Sequence, residues 1–177
     1  MSQKYRIIGL LLSIVVIILM KGCARQIPQS KENGSDKFIE ISLNGGGFYG
    51  GINPTTENKK TIKSDGKIIV SGKSFYDDRT ENSYSVSRNE VEKLADFISA
   101  KGFFTMKDVY DCSAANQKCE DRKHHYPPAV PIRIHATIGD SDKTVTVTVH
   151  EENMVEYPAE LDTIINKING LIDNAKK

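Results

Sequence analysis

The sequence has no tryptophan, only three cysteines and almost no net charge. Without tryptophan, a hydrophobic core has to be filled by Phe, Tyr, Ile, Leu and Val. A formal net charge of +1 gives no excess of Lys and Arg for binding phosphates, so no nucleic-acid partner is predicted. Three cysteines also leave no second cysteine pair for a structural zinc site.

Glycine is concentrated in one stretch, residues 44–51 (NGGGFYGG). A phosphate-binding loop would need a helix start after the glycines, usually with a Gly-Lys-Ser/Thr triplet. Here the chain continues into Ile52, Asn53 and Pro54 instead. We therefore interpret this stretch as a flexible loop or a bulge, with a ligand-contacting loop as the alternative.

Long apolar runs are missing apart from residues 7–20 near the N-terminus. This run is interrupted only by Gly9 and Ser13, and it is shorter than the roughly 20 apolar residues that a membrane-spanning helix needs. Lys4 and Arg6 precede it. A basic segment followed by an apolar one is typical of a secretory signal peptide, which we predict over residues 1–22.

The apolar run ends in Met20, Lys21, Gly22 and Cys23. These residues resemble a bacterial lipobox, in which a large apolar residue, a variable one and a small one precede the cysteine. The resemblance implies cleavage before Cys23 and acylation of its thiol and of the new amino terminus. Because Lys21 stands where a small neutral residue is usual, an uncleaved anchor of the same orientation is one alternative. A helix buried in a core is the other, and it would need burial on all sides.

The next segment, residues 24–36 (ARQIPQSKENGSD), is polar and has no apolar period. We predict a lipidated Cys23 and a flexible tether over residues 23–36, then a single α+β domain over residues 37–177. Removal of the leader leaves 21 basic and 23 acidic residues, a net charge of −2, so membrane attachment is predicted to rest on the lipid. No aspartate follows Cys23 directly, which by resemblance to envelope-sorting rules implies the outer membrane if the cell has one.

The two other cysteines, Cys112 and Cys119, are separated by six residues. Two cysteines that remain in an exported protein predict a disulfide. Closing this short loop would raise the free energy of unfolding by roughly 2–3 kcal/mol. The alternative is a metal-binding or redox pair. The six-residue spacer is too long for a C-x-x-C motif, which favours the disulfide.

Alternation of apolar and polar residues predicts strands near residues 38–43, 61–64, 67–71, 132–138 and 144–150, with a further short strand near 84–86. Asp65 and Gly66 predict a tight turn within the first hairpin. A turn over residues 139–142 would close a second hairpin with its apolar side chains on one face. The cross-strand pairs predicted for that hairpin are Ile132 with Val149, Ile134 with Val147, and Ala136 with Val145.

Two amphipathic helices are predicted. Ser87 followed by Glu90 forms a capping box before an apolar face at residues 91, 94, 95 and 98, which indicates a helix over residues 88–101. A second helix begins near Pro158 and runs toward the C-terminus, with an apolar side at residues 161, 164, 165, 168, 171 and 172. We therefore expect an α+β fold with one antiparallel sheet of about five or six strands and both helices on one face, in the order strands, helix, strands, helix.

The densest group of titratable residues in the sequence comprises Glu120, Asp121, His124 and His125. Because a tyrosine and two prolines follow, we interpret this group as a solvated loop. His135 and His150 share the polar face of the second predicted hairpin, but about 13 Å of strand separates them, so they cannot share a metal. Residues 76–79 (YDDR) are interpreted as a turn. No catalytic, cofactor-binding or metal-ligating residue is predicted.

Residues 38–73 combine a first strand, a GFYGG segment at 47–51, the Asp65–Gly66 hairpin and a VSG segment at 70–72, before the capped helix and the second hairpin. This arrangement resembles a domain of unknown function in bacterial, chiefly Bacteroidota-type, envelope lipoproteins. The resemblance implies a location in the envelope and brings no activity with it.

The leading functional hypothesis is a non-enzymatic binding or structural module, lipid-anchored in the bacterial cell envelope, with an envelope protein as its expected partner. Its contact surface would be the exposed strand face, rich in Thr and Tyr, or residues 45–51. The alternative hypothesis is an inhibitor of a secreted hydrolase of the lysozyme or protease type, acting through the Cys112–Cys119 loop. A third hypothesis is a metal-assisted enzyme that uses His124 and His125.

Overall fold

A computed structural model describes residues 37–45, 55–74, 76–124, 130–151 and 154–177, without the side chains of residues 55–57. Several predicted features lie outside these residues: the signal peptide, Cys23 and its tether, most of the glycine-rich stretch, and His125. All described residues belong to one compact unit, Asp36–Lys177. No helix within the described ranges is long and apolar enough to cross a bilayer.

The described residues form seven strands, three α-helices and one 3-10 turn. In chain order they are β1 (Ile39–Asn44), β2 (Thr55–Lys63), β3 (Lys67–Ser74), β4 (Thr80–Ser85), α1 (Arg88–Ala100), the 3-10 turn (Phe103–Thr105), β5 (Val109–Tyr110), α2 (Gln117–His124), β6 (Ile132–Ile138), β7 (Ser141–Val147) and α3 (Ala159–Ala175).

The seven strands form one sheet in the order β4-β3-β2-β1-β6-β7-β5. Neighbouring strands are antiparallel except β5 and β7, which are parallel. The α+β class is confirmed. The prediction of a purely antiparallel sheet with five or six strands and two helices is wrong, because it lacked β5 and α2.

The two missed elements leave little trace in the sequence. β5 has only two residues, too few for an alternating pattern to be recognised. α2 has eight residues, of which Cys119 is the only buried one, so it lacks the apolar stripe that indicates a helix. The predicted solvated loop at residues 120–124 is therefore the second half of a short helix.

The core lies between the apolar face of the sheet and helices α1 and α3. Its strand side chains come from alternate positions, such as Ile41, Ile62 and Ile134, all fully buried. The buried residues of α1 are Val91, Leu94, Ala95 and Ile98. Those of α3 are Leu161, Ile164, Ile165, Ile168 and Ile172. The apolar faces predicted for these helices are thus confirmed, with Leu171 of the predicted face only partly buried.

The start of α1 has the predicted capping box. The Ser87 hydroxyl accepts a hydrogen bond from the Glu90 backbone N–H (3.3 Å), and the Glu90 carboxylate accepts one from the Ser87 backbone N–H (2.9 Å). Because both orphan N–H groups find an acceptor within one turn, this helix start is defined by local sequence alone.

The β6–β7 hairpin is present, but its predicted register is wrong by two residues. Ile132 pairs with Val147, Ile134 with Val145, and Ile138 with Ser141. Only Gly139 and Asp140 therefore form the turn, and Gly139 has the positive φ (60°) that a tight two-residue hairpin requires. A shift by two keeps every side chain on its predicted face, which is why alternation did not reveal it.

The sheet has two distinct ends. At the N-terminal pole, Ile39 N–H donates to Ser64 Oγ (2.9 Å) and Gly139 N–H donates to the Phe38 carbonyl (2.8 Å), so the start of β1 lies beside two hairpin turns. β7 runs away from this pole, and β5 runs parallel to it. The chain segments that follow Tyr110 and Val147 therefore emerge at the opposite end, which we call the distal pole.

Candidate functional site

A groove with a volume of about 820 Å³ lies at the distal pole. Its walls come from three segments: residues 111–116 with the disulfide, residues 150–151 and 154–157, and the first turn of α3. We call this concavity the distal groove. Its volume falls in the range of about 300–1,000 Å³ that is usual for ligand sites.

The first wall is fixed by a disulfide between Cys112 and Cys119, as predicted, with a Cα–Cα distance of 5.6 Å. The side chain of Asn116 connects this wall to the start of α2 and to the neighbouring wall. Its side-chain oxygen accepts from the Cys119 backbone N–H (3.1 Å) in the manner of a helix N-cap, and its amide donates to the Met154 carbonyl (2.9 Å). The short helix α2 and the groove wall are thus one connected unit.

Asp111 stands at the entrance to the disulfide loop and accepts several hydrogen bonds. Lys123 Nζ lies 2.8 and 3.0 Å from its two oxygens, Thr148 Oγ1 donates to it (2.6 Å), and so does the Cys112 backbone N–H (2.8 Å). These hydrogen bonds lower the pKa of Asp111 from 3.8 to about 2, with the bond from Lys123 as the largest cause and that from Thr148 as the next. This carboxylate is therefore negatively charged at neutral pH.

Replacement of Asp111 by asparagine is expected to destabilise the fold by less than about 1 kcal/mol at pH 7, because the ion pair is well exposed. Since the folded pKa is depressed, the stabilisation is present above the unfolded pKa of about 3.9 and is lost as the pH falls through about 2. Urea unfolding of both proteins should therefore show a difference that shrinks between pH 4 and pH 2. The exposed α1 residue Asp96 offers a control, Asp96→Asn. A pH-independent difference for Asp111→Asn would contradict the expectation.

A second group of hydrogen-bonded side chains joins the middle wall of the groove, residues 150–151 and 154–157, to the first turn of α3. His150 Nε2 donates to Asp162 Oδ1 (2.9 Å), and the Tyr157 hydroxyl donates to both oxygens of the same carboxylate (3.2 and 3.3 Å). The rings of His150 and Tyr157 are stacked at 5.6 Å, and Tyr110 meets Tyr157 edge-on at 6.4 Å. Burial, followed by the negative charge of Asp162, raises the pKa of Tyr157 to about 12, so its phenol stays protonated as a donor.

The other two groove carboxylates differ from each other. Glu151 forms an ion pair with Arg122 of α2 (2.7 Å). Glu156 is exposed and makes no hydrogen bond or ion pair with any described residue. Among the described groove carboxylates, Asp111 and Glu151 are ion-paired with α2, whereas neither Asp162, which His150 and Tyr157 hold by hydrogen bonds, nor Glu156 has a lysine or arginine partner.

The His150–Asp162 pair has the geometry of a carboxylate that orients an imidazole base. Nucleophilic catalysis would also need a hydroxyl or thiol bonded to that imidazole. Within the described residues, the hydrogen bond of His150 is to Asp162, and the nearby Tyr157 hydroxyl is directed at the same carboxylate. These contacts connect the middle wall of the groove to α3 and do not place a nucleophile beside the imidazole.

One group of side chains has the spacing of metal ligands. Oxygens of Asp111 and Glu120 and the sulfur of Cys112 lie within 4.8 Å of one another. The Cys112 sulfur is bonded to Cys119, so it is not the thiolate that a metal site needs. His124 extends into solvent, 3.9 Å from Glu120.

The two remaining histidines lie in different surroundings. His135, on β6, contacts Thr144 (3.0 Å) and Thr137 (3.2 Å) on the polar face of the hairpin, as predicted. His150 lies beyond the end of β7 and contacts α3. The prediction that His150 extends the hairpin is wrong because the strand ends at Val147. Residues 76–79 lie in the bend between β3 and β4, which agrees with the predicted turn.

The sequence predicts the disulfide and singles out the loop that it closes, which contributes Ser113 and Asn116 to the groove, but it does not indicate the other two walls. Asn116 could have been found, because an asparagine three residues before Cys119 has the spacing of a helix cap. Asp111, Tyr157 and Asp162 form no local motif, and only the fold brings them together.

Comparison with known proteins does not identify a family. No protein-family model matches the chain, and no curated protein sequence matches it significantly.

Proposed function

We propose that this chain is a lipid-anchored protein of the bacterial cell envelope, attached through Cys23, whose domain is a non-enzymatic binding module. The outer membrane is the proposed location in a cell that has one. The observation that carries the proposal is the arrangement of the domain, with the chain entering at the N-terminal pole and the distal groove at the other end. A disulfide that fixes the groove supports export, because such bonds persist in oxidising compartments.

The position of the groove suits an anchored protein. A tether over residues 24–36 could reach roughly 43–47 Å when fully extended. In a domain attached at its N-terminal pole, the distal groove lies at the end opposite the attachment point, where partners in the envelope space can reach it. The same arrangement is compatible with a structural module that connects the membrane to another envelope component.

A binding role fits the groove better than catalysis does. Asp111, Glu151 and Asp162 are each engaged by a donor from the protein itself, and such contacts hold side chains in place without preparing a nucleophile. The proposed resemblance to envelope lipoproteins of unknown function is consistent with this role and adds no activity.

Replacement of Cys23 by alanine is expected to abolish membrane retention. Intact-mass measurement of the wild type should show loss of residues 1–22 and addition of a diacylglyceride and an acyl chain, both absent from Cys23→Ala. As a matched control, Lys21→Ala places a small neutral residue before Gly22 and should be processed at least as well as the wild type. An unmodified wild-type chain that still carries residues 1–22 would instead identify an uncleaved anchor.

A second candidate function, inhibition of a secreted hydrolase, is favoured by one observation. The segment Ser113, Ala114 and Ala115 is exposed, and it is held between a disulfide and the Asn116 contacts, as an inserting loop would be. Its small side chains offer little of the buried aromatic or arginine contact that dominates tight interfaces. Stoichiometric loss of activity in a panel of lysozymes and proteases would favour the inhibitor.

A further inference from the structure

The distal groove has the dimensions of a site for an extended side chain and its backbone. A volume of about 820 Å³ is far larger than a metal ion needs and falls within the range of ligand sites. The groove runs between separate chain segments, so a polypeptide can lie across it.

The charge of the groove is one-sided. Among the residues that the structure describes, the carboxylates that line it are those of Asp111, Glu151, Glu156 and Asp162, and no lysine or arginine lines it. Lys123 and Arg122 of α2 compensate the charges of Asp111 and Glu151 by ion pairs, so the negative charge of the groove rests on Glu156 and Asp162. Carboxylates gathered in a concave site concentrate their field and attract cations.

The groove also offers apolar surface beside the charges. Met154, Val155 and Tyr157 line it, and the first two belong to the core or pack against it. The aliphatic stem of a lysine or arginine packs on such surface while its charged end reaches a carboxylate. A bare metal ion or a small inorganic cation would leave this surface unused.

We propose that the distal groove binds a positively charged segment of a partner polypeptide, with a lysine or arginine side chain directed at Glu156 and Asp162. This inference rests on the proposed binding function and names its ligand class. The walls are preformed, since a hydrogen bond joins Asn116 to Met154 and since His150 and Tyr157 hold Asp162. Preformed walls lower the ordering cost of binding.

The test is fluorescence anisotropy of the full chain, in nonionic detergent, with three labelled nine-residue peptides in which glycine alternates with lysine, serine or glutamate. We expect saturable 1:1 binding of the lysine peptide only, weakening as salt rises, because screening reduces charge attraction. Glu156→Gln, at an exposed position, should weaken binding about two- to five-fold, the usual range for one exposed charge pair. Glu81→Gln on β4 is the matched control and should leave binding unchanged.

Equal binding of the lysine and serine peptides, or equal effects of Glu156→Gln and Glu81→Gln, would overturn the inference. Equally tight binding of spermine and of the lysine peptide would overturn the polypeptide assignment in favour of a small amine. Circular dichroism of each variant checks that the fold is intact. Failure here leaves the Cys23→Ala experiment unaffected, so an error in ligand class is distinguishable from an error in the lipoprotein proposal.

Discussion

Replacement of both Cys112 and Cys119 by alanine is expected to lower the free energy of unfolding by about 2–3 kcal/mol. The cross-link closes a short loop, and its removal restores conformational freedom to the unfolded chain. The loss of helical structure in α2 should be more pronounced than this change in global stability implies. That helix has eight residues and buries only Cys119, and isolated helices of this length are marginal in water.

Loss of α2 would propagate into the distal groove. Arg122 and Lys123 lie on this helix and bond Glu151 and Asp111, so both carboxylates would lose a fixed partner. Amide hydrogen exchange over residues 117–124 should accelerate strongly in the double variant while exchange in α1 changes little.

Two comparisons make the result interpretable. The wild type reduced with dithiothreitol should match the double variant in urea unfolding and in exchange. Lys118→Ala changes an exposed residue of the same helix and should retain wild-type exchange in α2. Unfolding free energies that agree within about 0.5 kcal/mol, with α2 still protected, would show that the remaining contacts hold this wall without the disulfide.

Predictions from sequence succeeded where the information is local. The capping box of Ser87 and Glu90 and the apolar faces of α1 and α3 each lie within one helix, and the structure confirms them. The Asp65–Gly66 turn is confirmed in the same way by the β2–β3 pairing around it. In these elements a few neighbouring residues determine both the conformation and the buried face.

Predictions failed where the outcome depends on distant contacts. The alternation in β6 and β7 is satisfied by two registers, and the pairing of Ile138 with Ser141 follows from a turn geometry that alternation does not specify. α2 buries only Cys119, which is cross-linked, and its other side chains are polar, so no apolar pattern in the sequence indicates this helix. In the groove, the disulfide could be predicted from spacing, whereas the contact of His150 with Asp162 needs the end of β7 to meet α3.

Phe103 is a further residue that sequence periodicity did not identify. It begins the 3-10 turn after α1, beyond the amphipathic pattern, yet it is fully buried. The turn lies beside α1 and β7. Phe104, the next residue, is only partly buried, and the two rings meet edge-on at 5.6 Å. The pair therefore offers a direct comparison of burial at neighbouring positions.

Phe103→Ala is expected to destabilise the protein by about 3–5 kcal/mol, because it removes a fully buried ring and leaves a cavity in the core. Phe104→Ala should cost only about 1–2 kcal/mol, since less apolar surface returns to water. Both variants lose the same ring–ring contact, so the difference in unfolding free energy between them isolates the effect of burial. Urea unfolding of the full chain in detergent measures the free energy of unfolding of each variant. Equal losses would mean that the ring contact, rather than the buried position of Phe103, provides the stabilisation between the 3-10 turn, α1 and β7.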